Sequence, residues 1–141
     1  MAQILVDVDD LLIGARKSIA SEIRDYLVSK FEFGKWDYRK GDYLGRTIEQ
    51  LPDRIVVHQQ KYILENLQPI SVAKGRRSNP TDDLTPAERK AFITGTYQLG
   101  WVSRETRAEG TGAASILSSK VNSPTVQDFK PRRIFKDRLM P

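Results

Sequence analysis

Apolar positions along the chain follow two periods. Ile4–Val6 and Leu11–Ile13 are short apolar runs on either side of an acidic turn, within ILVDVDDLLIG, and predict a β-hairpin. From Arg16 to Phe31 the spacing becomes helical. Ile19, Ile23, Tyr26, Leu27 and Phe31 recur on one side, while Lys17, Glu22, Arg24 and Asp25 fall mostly on the other. This amphipathic helix is broken at Phe33-Gly34-Lys35-Trp36. Asp42–Gln50 and Arg54–His58 predict two strands joined around Leu51-Pro52-Asp53, and Gln59–Leu67 predicts a helix with Tyr62, Ile63 and Leu67 on one side.

The pattern then lapses. Ala73–Asp83, AKGRRSNPTDD, is rich in Gly, Pro, Ser and charge and has no apolar period, so it predicts a linker. A helix start follows: Thr85 as N-cap, Pro86 as first helical residue and Glu88 as capping-box partner. The helix should run to Ser103, with a turn over Arg104–Glu109 and a second helix from Gly110 to Val121, stopped by Asn122-Ser123-Pro124. Gly95, Gly100, Gly110 and Gly112 weaken these helices relative to Ala and point to close packing. The expected fold class is α+β: a small antiparallel sheet with helices over residues 1–72, a linker over 73–84, a mainly helical part over 85–128 and a basic tail over 129–141.

Composition narrows the function classes. The 141 residues suit one compact domain or two small subdomains. No apolar run reaches the roughly 18 residues of a membrane span, and the start shows no secretory pattern. With no cysteine there are no disulfides or thiolate metal sites, which fits an intracellular protein. The single histidine, His58, cannot form a zinc cluster and predicts a structural role beside a strand. Residues 1–73 hold 10 Lys/Arg against 11 Asp/Glu, and residues 74–141 hold 13 against 7. The basic half points to an anionic partner such as nucleic acid.

The acidic turn carries the candidate chemistry. On one strand, Asp7 and Asp9 would share a face roughly 6–7 Å apart. Their repulsion would be about 2–3 kcal/mol at an effective dielectric of about 20 and under about 1 kcal/mol in water. A solvated turn tolerates this. In a cleft a cation would offset it, and carboxylate oxygens without Cys or His favour Mg²⁺ or Mn²⁺.

The chain resembles the reverse transcriptase of copia-type long-terminal-repeat retrotransposons from Ile4 to Asp128. VDDLLIG, a helix ending KFEFGKWD, then YLGRTIEQ and IVVHQQKYI occur in that family's order. LTPAERKAFITGTYQLGWVSRETR and ASILSSKVNSPTVQD resemble its following helical segment, with Thr106–Glu109 reading TRAE where the family usually has TRPD. The resemblance implies a palm remnant followed by a thumb-like part. It implies RNA-directed DNA synthesis on an RNA/DNA template–primer, with Asp9 and Asp10 as catalytic ligands of two Mg²⁺ ions. It also makes Tyr43-Leu44-Gly45 a primer-grip hairpin, although a strand with a Gly bulge fits those residues equally. Arg76, Arg77, Arg132 and Arg133, with Lys74, Lys130, Lys136 and Arg138, are candidate phosphate contacts. Lys35 is a weaker one, and Trp36 and Trp101 fit core packing better than base stacking.

Three departures bear on activity. Asp7 replaces the family's aromatic residue before x-Asp-Asp. The chain starts at the hairpin, so the fingers and the strand with the third catalytic aspartate are expected to be missing, and activity would need that missing polymerase half. After Asp128 the tail no longer resembles the family. The expected function is therefore a polymerase fragment inactive alone. The alternative is a retrotransposon-derived, non-catalytic structural or nucleic-acid-binding subunit of a larger host assembly. A third reading is a haloacid-dehalogenase-type phosphatase with Asp7 as nucleophile and Asp9 as acid/base. There Leu11 stands where that family expects Thr or Val.

Overall fold

The computed structural model describes residues 1–67 and 72–129. The fold class is α+β, with small antiparallel sheets and, among the described residues, four α-helices. The chain divides into two compact units, one ending at His58 and the other beginning at Gln59.

In the first unit, β1 (Ala2–Asp7) and β2 (Asp10–Ala15) form the predicted hairpin, each strand longer than its apolar run. Helix α1 (Lys17–Lys30) lies against β2. Ile19, Ile23 and Leu27, four residues apart, are its half-buried stripe. Tyr26 and Phe31, expected on that stripe, are 65% and 60% exposed.

The second sheet runs β3 (Lys40–Tyr43), β4 (Arg46–Gln50) and β5 (Ile55–His58), in that order and antiparallel. The stretch expected as one strand, Asp42–Gln50, is therefore a hairpin turning at Leu44-Gly45. Both turn residues have positive φ, 51° and 70°, as a type I′ turn requires. Gly45 is a turn residue and not a bulge. Its partner Leu44 gave no turn signal in the sequence because Asn or Asp usually holds that position. His58 closes β5 opposite Thr47.

In the second unit, α2 spans Gln60–Asn66, α3 spans Pro86–Glu105 and α4 spans Thr111–Ser118. The capping box forms as predicted: the Glu88 N–H donates to Thr85 Oγ1 at 3.3 Å and the Thr85 N–H to Glu88 Oε2 at 2.9 Å. Val72, Phe92, Leu99, Ala114, Leu117, Val126 and Phe129 make one core. The domain boundary expected after residue 72 thus falls earlier, between His58 and Gln59. Val72 belongs to this core, and the Gln59 side chain accepts a hydrogen bond from Thr106 Oγ1 at 2.9 Å.

The stretch expected as a linker over 73–84 is folded into the same unit. Lys74–Ser78 is a 3-10 turn, Val126 N donates to Asp82 O at 3.0 Å, and Asp83 bridges Thr125. Of the four glycines expected to mark close packing, Gly110 does so: a Cβ there would collide with the Ser103 hydroxyl. Gly100 and Gly112 face open space.

Candidate metal and nucleic-acid site at the acidic hairpin

A two-residue turn, Val8-Asp9, joins β1 to β2. Asp9 is the second turn residue, and Asp10 opens β2 directly opposite Asp7 at the end of β1. Asp7 and Asp9 therefore do not share a strand face, as one continuous strand would require. The close like-charge pair is Asp7 with Asp10, across the hairpin. All three carboxylates are exposed, so water screens them.

Val8 has φ of 48° and is 90% exposed. A β-branched residue rarely adopts that conformation, which marks a strained turn immediately before Asp9. Among the described residues, no three His, Asp or Glu side chains are grouped so as to hold a metal ion. The hairpin tip itself contributes carboxylates from one short segment, Asp7 to Asp10. Asp9 and Asp10 are the residues that would take part of the coordination of an Mg²⁺ or Mn²⁺ ion, with water or another segment supplying the rest.

The other candidates are spread through both units. Tyr43 is half-buried opposite Arg46, and Leu44 and Gly45 form the exposed turn beyond it. Lys35 Nζ is 2.9 Å from the Asp37 carboxylate, and this hydrogen bond and the charge behind it raise the Lys35 pKa. Trp36 is half-buried with its ring edge-on to Phe33 at 5.0 Å, and Trp101 packs edge-on to Tyr62 at 4.4 Å. Both tryptophans are half-buried against another ring.

Arg76 and Arg77 are engaged within their own unit. Arg76 Nη2 donates to the Asp83 carbonyl at 2.6 Å and lies 3.3 Å from the Glu88 carboxylate, while Arg77 Nε donates to the Val72 carbonyl at 3.0 Å. Lys74 is exposed at the head of the 3-10 turn. Lys130, Arg132, Arg133, Lys136 and Arg138 lie outside the described residues.

Comparison with protein-family profiles, curated proteins and solved structures found no match. The reading of the site therefore rests on its residues and their placement. Two pairings went unnoticed in the sequence: Lys30 lies over the Tyr26 ring at 5.9 Å and Arg39 over the Tyr38 ring at 5.5 Å. The signal was present in the alternation of aromatic and basic residues from Tyr26 to Lys40, which is read as a ring–cation surface only once the rings prove exposed.

Proposed function

We propose that this chain is the Asp-Asp hairpin segment of an RNA-directed DNA polymerase and does not polymerise by itself. One observation carries the reading: Asp9 and Asp10 occupy the turn and first strand position of a tight antiparallel hairpin, exposed at its tip. Adjacent carboxylates displayed on a tight hairpin suit two divalent ions that activate a primer hydroxyl and receive the leaving pyrophosphate. Those ions need carboxylates on a second side, and positioning the incoming triphosphate is worth several powers of ten in rate. The hairpin supplies neither.

The test is primer extension on an RNA template with Mg²⁺ or Mn²⁺. The chain alone gives no product. Adding an upstream palm segment with a third aspartate restores extension, and Asp9→Asn abolishes it again. Absence of extension with that segment present, from a complex shown to form, overturns the reading.

Asp7 favours a second reading, a non-catalytic nucleic-acid-binding subunit. It adds charge beside the would-be metal ligands and removes the aromatic support expected under a primer end. Salt-dependent binding to RNA or DNA, with no extension under any complementation, distinguishes it.

A further inference from the structure

Among the described residues, the outer edge of β1 has no strand against it: the first sheet has two strands, ordered β1-β2. The register says which backbone groups face outward. Asp7 and Asp10 flank a two-residue turn and form its hydrogen-bonded pair, and pairs alternate along an antiparallel ladder. Gln3, Leu5 and Asp7 thus turn their N–H and C=O groups toward β2. Ala2, Ile4 and Val6 turn theirs away.

Nothing in the edge's own sequence blocks pairing. Ala2–Val6 contains no proline, no charge and no glycine, and the register runs without a bulge. Ile4, Leu5 and Val6 are 45%, 56% and 68% exposed.

The charge layout selects the occupant. The turn end of the hairpin carries Asp7, Asp9 and Asp10, and the open end leads into exposed Arg16 and Lys17, just past the Ala2–Ala15 pair. One end is acidic and the other basic. A second copy laid parallel would set six carboxylates side by side. Laid antiparallel, each acidic end meets the other copy's basic end. With Ile4 opposite Ile4 of the second copy, Ala2 pairs with Val6 through the outward-facing groups on both sides. Asp7 then aligns with Arg16 of the second copy two strands away, about 10 Å at ordinary strand spacing and within reach of a long arginine side chain. The directly opposed residues Ala2–Ala15, Ile4–Ile13 and Val6–Leu11 share one face of the hairpin, all apolar. Pairing doubles that face.

We infer that β1 is a self-pairing edge, joining a second copy of this chain antiparallel about Ile4 in a closed four-stranded sheet, β2-β1-β1-β2. This inference is independent of the polymerase reading. A two-fold contact of this kind uses the same edge on both copies and closes on itself.

The test combines sedimentation with amide exchange on the full chain. A species of twice the chain mass is expected, with the Ile4 and Val6 amides protected only as concentration rises and the Gln3 and Leu5 amides protected throughout. Ile4→Pro removes an outward donor that the hairpin ladder does not use, a position where an edge strand accepts proline. It should yield a monomer that keeps Gln3 and Leu5 protected, which separates lost pairing from lost folding. Arg16→Glu with Lys17→Glu should weaken association several-fold at low salt, as like charge replaces attraction. A monomer at all concentrations, open-ended oligomers, or a dimer that survives Ile4→Pro overturns the inference.

Discussion

Asp7 and Asp10 face each other across the hydrogen-bonded pair that closes the first hairpin. Like charges directly opposite one another on neighbouring strands oppose the pairing that brings them together. Asp7→Asn should therefore stabilise the hairpin, by a few tenths to about 1 kcal/mol. Exchange rates of the Leu5 and Leu12 amides check it, and the gain should shrink as salt is added, because both groups are exposed.

Three glycines should respond to alanine with opposite signs. Gly110→Ala drives a methyl into the Ser103 hydroxyl and should cost about 1–3 kcal/mol. Gly100→Ala and Gly112→Ala meet open space within helices and should each add about 0.5–1 kcal/mol. Ser103→Gly in the Gly110→Ala background should recover part of the loss, a non-additivity that urea unfolding of the four variants measures directly.

Acid should weaken the second unit through Glu88. The Thr85 backbone N–H, then the Thr85 hydroxyl and the Arg76 guanidinium, hold its carboxyl below the ordinary value of 4.5. A lowered folded-state pKa gives stability that is complete above the ordinary value and drains away as pH falls through the lowered one. Glu88→Gln should flatten part of that decline below about pH 4.5, followed as the urea midpoint against pH. Glu109 should retain a share of the decline, because its own backbone N–H and then Arg107 lower its pKa too.

Arg76 separates a structural role from a nucleic-acid one. Arg76→Ala strips the Asp83 carbonyl and the Glu88 carboxylate of their guanidinium and should cost about 1–2 kcal/mol in stability. The salt slope of RNA binding should barely change. Removing residues 130–141 should instead lower that slope by about 0.7 for each phosphate of a single strand that is no longer neutralised. A slope that falls for Arg76→Ala and not for the truncation would reverse this assignment.

Local chemistry was legible in the sequence. Thr85, Pro86 and Glu88 announced the start of α3 because a capping box is complete within four residues. The first hairpin was legible because its apolar runs bracket a charged turn. What escaped was structure made by distant parts of the chain. The polar run from Ala73 reads as a linker by composition, yet Gln127 N donates to Pro80 O at 2.9 Å and Val126 N to Asp82 O at 3.0 Å. Those partners have no counterpart in a local pattern. Within the candidate site, the placement of Asp9 and Asp10 at a hairpin turn was readable. The positive φ of Val8 was not, since nothing about valine favours it.

The ladder of the first unit joins only strands that are neighbours in sequence, from β1-β2 through β3-β4-β5. The second unit closes differently: its core joins Val72 to Phe129, and Asp83 bridges Thr125. This difference is one of timing. Hairpins form within about 1–10 μs, whereas pairings between distant residues wait on a slower search. During synthesis at about 5–20 residues per second, the acidic hairpin can fold seconds before the residues that seal the helical core have been made. The Asp-Asp turn can thus take its shape while the residues of the helical core are still being added.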